Sequence, residues 1–245
     1  MNKYKIILSA FFFLSLSQAF AANHKKPLAL VWNGPGACRP SCVLVAVHVA
    51  KKAGFKVRYV NPSLTDYSVF KIAKLWVQPG GKSVTAAQSM STEMHQEIVD
   101  FVASGGGYVG FCAGAFISTA KIGTSGEDGY GILPGSTELL VKHGPENLML
   151  KISTPKFGNR WMLYAGGPFM KVSDEELAAV QGEVIARYPD GSIGGIHGRF
   201  GKGKVAVVGF HPEADIFWKL FDRKIDRDGS DAFFAVDMIR YATSP

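Results

Sequence analysis

Short apolar runs alternate with amphipathic stretches through the first half of the chain. Leu28 to Trp32 (LALVW) has the length and apolar character of a buried strand, and Asn33-Gly34-Pro35-Gly36 ends it. Ser41 to Ala53 is too long for a strand, and Lys51-Lys52 before Gly54 is a helix ending. Lys56 to Val60 and Ile72 to Val77 read as further strands, the second stopped by Pro79-Gly80-Gly81. Ser91 to Ala103 reads as a capped helix with apolar positions at Met94, Ile98, Val99 and Val102, closed by Gly105-Gly106-Gly107. Tyr108 to Phe111 is a short apolar run, and a small-residue segment reading as a helix follows it.

The second half is less regular. Gly131 to Gly135 is a tight segment, and several short strands and loops are expected between about Thr137 and Phe169. Ser173 to Val180 reads as a short helix capped by Ser173. Val184 to Tyr188, Ser192 to Ile196 and Lys204 to Phe210 read as strands, with turns at Pro189-Asp190-Gly191 and Gly201-Lys202-Gly203. Asp231 to Tyr241 is a closing amphipathic helix. Strand–helix alternation of this kind predicts an α/β fold: a three-layer sandwich with a mostly parallel central sheet covered on both faces. Such sheets place ligands at the carboxyl ends of their strands, where both Pro79-Gly80-Gly81 and the segment after Phe111 would lie.

Composition changes this picture at the N-terminus. Met1 to Lys5 carry two lysines, Ile6 to Leu16 form an apolar core, and Ala19-Phe20-Ala21 has the small-x-small form of a cleavage site. The pattern predicts a signal peptide over residues 1–21 cut after Ala21, then a single domain over 22–245, secreted or periplasmic. The apolar run is short of the roughly 20 residues of a membrane span, so no stable membrane insertion is expected. Removing Lys3 and Lys5 lowers the formal net charge from +7 to +5. The remaining basic residues are scattered without interleaved aromatics, which argues against a nucleic-acid partner.

Three cysteines are present: Cys38, Cys42 and Cys112. In an oxidising compartment the four-residue spacing of Cys38 and Cys42 predicts a disulfide between them, leaving Cys112 free. No histidine stands at ligand spacing near a cysteine, so neither a metal site nor a cofactor is expected. Asp226-Arg227-Asp228-Gly229-Ser230-Asp231 has its glycine too early for a calcium loop and lacks the closing glutamate; a solvated loop capping the last helix is expected instead.

Cys112 carries the chemistry. It sits in Gly110-Phe111-Cys112-Ala113-Gly114, the cysteine form of a nucleophile elbow, with Gly110 and Gly114 clearing space for a sharp strand-to-helix turn. The helix start would favour thiolate. A cysteine nucleophile needs a base and a group that orients it. His211-Pro212-Glu213 follows the last core strand, and residues two apart in an extended segment project to one side, so Glu213 can hold one ring nitrogen while the other faces the thiol. The N–H groups of the Gly80-Gly81 pair and of Ala113 would form an oxyanion hole. Gly81-Lys82-Ser83 is not the end of a phosphate loop, because Trp76 stands where a glycine is required.

Pro79-Gly80-Gly81, then G-x-C-x-G, then a distant His-Pro-Glu resembles the class I glutamine amidotransferase superfamily, which uses Cys-His-Glu in that order. More narrowly, Gly34-Pro35-Gly36, GFCAGA, Leu133-Pro134-Gly135, Tyr164 to Pro168 (YAGGP) and GKGKVAVVGFHPEA resemble free-standing relatives of the biotin-protein ligase N-terminal domain. The resemblance covers nearly the whole chain after residue 21 and implies the flavodoxin-like fold of that superfamily. It makes Cys112 the nucleophile, His211 the general acid/base, Glu213 its orienter, and Gly81 and Ala113 the oxyanion donors. No synthase domain is expected beside this one, and the chain is expected to be exported. The implied activity is therefore stand-alone hydrolysis of a small-molecule or peptide amide, glutamine-like or γ-glutamyl, with substrate loops near Tyr164 to Phe169 and His197.

Rival families fit less well. The intracellular-protease and deglycase branch places histidine directly after the cysteine, where this chain has Ala113. Dienelactone-hydrolase-like enzymes take their acid before the histidine, a place Asp190 could fill. The alternative from a different class is a non-catalytic periplasmic binding module on the same fold.

Overall fold

In a computed structural model, the described residues are 26–141, 147–214, 218 and 224–245. The expected signal peptide lies outside them. Eleven strands form one sheet: β1 Leu28–Trp32, β2 Lys56–Val60, β3 Ala73–Gln78, β4 Gly107–Phe111, β5 Ser136–Leu139, β6 Asn147–Thr154, β7 Gly158–Ala165, β8 Pro168–Lys171, β9 Glu183–Arg187, β10 Ile193–Phe200 and β11 Gly203–Val208. Among the described residues the helices are α1 Ser41–Lys52, α2 Val69–Ile72, α3 Ser83–Gln88, α4 Thr92–Ala103, α5 Ala113–Ser118, α6 Asp174–Ala179 and α7 Ala232–Thr243.

The main path runs β2-β1-β3-β4-β11-β10-β9-β6-β7, with β5 and β8 joined to it through β10. From β2 to β11 the neighbours are parallel. Beyond β11 every pairing is antiparallel. The expectation of a mostly parallel sheet therefore needs correction: it holds for the half that carries the elbow. The other half is built of hairpins, whose short turns, such as Gly201-Lys202 between β10 and β11, permit only antiparallel return.

Alternate residues of the parallel strands enter two cores. Ala29, Val31, Leu75, Val77, Val109, Phe111, Ala206 and Val208 pack with α1 and α7 on one face. Leu30, Trp32, Trp76, Tyr108, Val205 and Val207 pack with α4 and α5 on the other, completing three layers. These strands are apolar at nearly every position because both faces are covered.

Local chemistry sets the helix ends. The Ser91 side chain accepts from the Met94 N–H over 3.1 Å, capping α4. Ser173 and Glu176 form a reciprocal capping box on α6. Asp231 departs from its expected role. It makes no side-chain cap on α7. It is fully buried, and its carboxylate accepts from Arg160 Nε over 3.1 Å. A carboxylate taken out of water needs such a cation more than a helix end needs a cap.

Two substitutions separate these effects. Ser91→Ala should cost about 1 kcal/mol, the usual loss of a cap. Asp231→Ala strands a guanidinium that is largely buried and should cost about 2–3 kcal/mol, discounted for its residual exposure and its second carboxylate, Asp228. Urea unfolding of the two variants beside the parent reads both values.

Candidate active site

Four adjacent strands, β1, β3, β4 and β11, deliver their carboxyl ends to one rim. The loop after β1 carries Gly34 to Cys38, that after β3 carries Pro79-Gly80-Gly81, β4 ends at Cys112, and β11 leads to His211.

Cys112 has φ 50° and ψ −100°, a backbone conformation that a non-glycine residue rarely holds. The surroundings fix it. Its N–H donates to the Val208 carbonyl over 2.8 Å, continuing the β4–β11 ladder, while its carbonyl accepts from Ala115 N–H over 2.9 Å to start α5. A Cβ on Gly110 would lie 2.6 Å from the Gly114 carbonyl group, so the elbow glycines face each other with no room between them. On Gly114 a Cβ would meet the Gln78 carbonyl oxygen at 2.4 Å, which seats the first turn of α5 directly beside the Pro79-Gly80-Gly81 loop. Tyr108 Oη donates to the Gly114 carbonyl over 2.8 Å from beneath.

The residues singled out at the rim are deeply buried: Cys112 is 3 %, His211 1 % and Glu213 2 % exposed. His211 Nδ1 and Glu213 Oε1 are 2.8 Å apart, the pairing anticipated from their spacing. The other carboxylate oxygen, Oε2, is buried and takes no hydrogen bond among the described residues. Burial alone would push the His211 imidazole down; the Glu213 carboxylate and the neighbouring Cys112 outweigh it and raise it to about 10. The Cys112 thiol donates to the Ala165 carbonyl over a long 3.5 Å.

The oxyanion candidates are both available in backbone terms. Ala113 is the first residue of α5, where an N–H has no partner within the helix. Gly81 pairs with Ala37 in an antiparallel bridge, but the bonds run between their neighbours, from Cys38 N–H to Gly80 O and from Lys82 N–H to Gly36 O. In that arrangement the N–H of Gly81 points away from the pairing.

The segment expected among the substrate loops near Tyr164 to Phe169 does reach the site, through contacts that the sequence does not specify. Leu163 and the YAGGP segment after it close the site: Leu163 O accepts from His211 N–H over 2.7 Å, Ala165 O takes the thiol, and a Cβ on Gly167 would meet Gly209 O at 1.7 Å. Trp218 packs edge-on to His211, with ring centroids 4.6 Å apart. None of these contacts leaves a trace at fixed spacing. The placement of His197 near the substrate loops is corrected. It sits within β10, stacked on Tyr241 of α7 and hydrogen bonded to Glu183. There it helps line a separate cavity of about 410 Å³ between α7 and β9–β10. The structure joins Cys38 to Cys42 and leaves Cys112 free. Among the described residues no group of three or more His, Cys, Asp or Glu could hold a metal ion, and no helix is long and apolar enough to cross a membrane.

Residues 28–144 match the family described as biotin-protein ligase, N terminal. That span holds Gly81 and Cys112 and stops short of His211. Biotin–protein ligase of Schizosaccharomyces pombe is 25% identical over 213 residues, an alignment covering 75% of this chain and 33% of that protein. The chain thus spans about a third of the length of the curated relative it matches. Among solved structures, PurLQS from Thermotoga maritima superposes with a TM-score of 0.60 at 20% identity, covering 86% of this chain and 98% of that one. A glutamine amidotransferase from the same organism gives 0.59 at 13% identity, covering 91% and 100%. At these identities the superposed structures establish the amidotransferase-like fold alone.

The raised imidazole makes a pH prediction. A histidine whose folded value lies above its unfolded value near 6.5 contributes stability that is fully present below 6.5 and lost as pH rises through about 10. The stability gap between the parent and His211→Gln should therefore shrink between pH 6.5 and 10, by about 1 kcal/mol per unit. Urea unfolding at pH 6, 8 and 10 measures it; a gap that stays constant contradicts the paired, charged ring.

Proposed function

We propose that this chain is an exported cysteine hydrolase that cleaves a glutamine-like or γ-glutamyl amide through Cys112, His211 and Glu213. The observation that carries the reading is the strained Cys112 at the start of α5, on the same rim as a buried His211–Glu213 pair. The amidotransferase-like fold supports it.

In this mechanism Cys112 Sγ, having given its proton to His211 Nε2, attacks the amide carbonyl carbon. Negative charge moves to the carbonyl oxygen, where the Gly81 and Ala113 N–H groups would receive it; one such donor is worth about 10²–10³ in rate. The C–N bond breaks as His211 returns the proton to the departing amine, leaving a thioester on Cys112. Water, deprotonated by His211, attacks the thioester, and expulsion of the thiolate releases the carboxylic acid. Glu213 holds Nδ1 throughout and stabilises the imidazolium. Burial strengthens each of these interactions by excluding water.

The near-complete burial of Cys112, His211 and Glu213 favours a second reading, a periplasmic binding module that holds a peptide or small amide at the same rim without turning it over. Amine release from a panel of γ-glutamyl amides separates the two. The hydrolase reading expects turnover by the mature chain, loss of at least ~10³-fold in Cys112→Ser and roughly 10²–10⁴-fold in Glu213→Gln, both still folded. Binding without turnover in the parent would favour the module.

A further inference from the structure

The Cys38–Cys42 disulfide lies in the wall of this site, although the proposed chemistry makes no use of it. It joins residues four apart, with Cα atoms 5.1 Å from each other. A loop that short restricts the unfolded chain little. The turn is also held without it, because the N–H groups of Cys42 and Val43 donate to Cys38 O over 3.0 and 3.3 Å. Global stability is a weak account of the crosslink.

Its position offers a stronger one. The bridged turn and the residues leading into it grip both flanks of Gly81: Cys38 N–H donates to Gly80 O over 3.0 Å, and Lys82 N–H donates to Gly36 O, two residues before the bridge, over 2.7 Å. Gly81 is held at φ +141°, with so little space that a Cβ would lie 2.0 Å from Gly36 O and 2.7 Å from Cys38 N. Its N–H direction is therefore set by where the 36–38 backbone sits. Gly80 adds a direct link to the imidazole. A Cβ there would lie 2.5 Å from His211 Cε1 and 3.4 Å from Cys42 Sγ, so the ring and the disulfide sulfur meet over one bare glycine.

We propose that the Cys38–Cys42 disulfide is a positioning brace that sets the Gly81 N–H and the His211 ring for Cys112. Reducing it lowers the reactivity of Cys112 without unfolding the domain. The inference rests on Cys112 being the nucleophile. Reduction by a dithiol breaks the S–S bond; two electrons and two protons pass to Cys38 and Cys42 as thiols, and the dithiol closes to its own disulfide.

The test compares the oxidised parent with Cys38→Ser/Cys42→Ser. The rate of Cys112 carbamidomethylation by iodoacetamide is followed by mass from pH 5 to 10, beside kcat and KM on a γ-glutamyl amide. Loss of the brace should slow alkylation about 10-fold at pH 7, move its pH profile, and lower kcat by about 10–100-fold with KM within about 3-fold, the signature of misplaced catalytic groups. Unchanged alkylation and an unchanged profile would overturn the brace. If the double variant fails to fold, the parent is reduced with dithiothreitol, freed of reductant and reoxidised, with Cys112 alkylation resolved by peptide mapping. A loss that reverses on reoxidation supports the brace, and a rate indifferent to reduction overturns it. Disulfide-dependent alkylation in a protein that turns over no amide would sink the hydrolase reading while supporting the brace.

Discussion

The backbone of Cys112 is held in its strained conformation by contact between Gly110 and Gly114, and the rim is built outward from that contact. Were either glycine to carry a side chain, α5 would stand away from β4. Gln78 would lose its seat against Gly114, and the Pro79-Gly80-Gly81 loop would move with it. The same device recurs around the site: Gly81 against Gly36 and Cys38, Gly80 against His211, and Gly167 against Gly209. Each removes a side chain so that another backbone segment, or at Gly80 the His211 ring, can approach the main chain closely. A site assembled this way is preorganised by main chain, the least mobile material available for orienting hydrogen-bond donors.

Electrostatics then acts on groups that packing has already placed. His211 and Glu213 are nearly inaccessible, and a buried carboxylate and imidazole are tolerable only because they face each other at 2.8 Å. The raised imidazole is a consequence of that pairing and of Cys112 beside it. The unbonded Glu213 Oε2 keeps acceptor capacity in reserve within the same pocket.

The parts of this arrangement legible in the sequence are those encoded at short range. β1, β2 and α1 fall almost where apolar runs and terminators put them, and α4 and α6 start at their serine caps. Cys112 and the His211–Glu213 pair were visible because an elbow and a two-residue spacing are local patterns. The helices α2 and α3 were missed, being one or two turns long with little periodicity to detect. The long hairpin of β6 and β7 was blurred because its strands are half-exposed and polar at irregular positions. The run of β10 continues to Phe200 despite its glycines, held by pairing with β11 that no propensity reports. Ala165, Leu163 and Trp218 reach the site only through tertiary folding, and so does the grip of Cys38 on Gly80. The disulfide itself could be expected from spacing, but its place beside His211 could not.

The central proposal is that Cys112 is a competent nucleophile that accepts a glutamine-like amide. Intact mass after incubation with a glutamine-analogue diazo-ketone, beside a Cys112→Ser control, addresses it most directly. The account predicts one stoichiometric adduct on the parent and none on the variant. A parent that takes up no label, while its Cys112 remains titratable after unfolding, would contradict it.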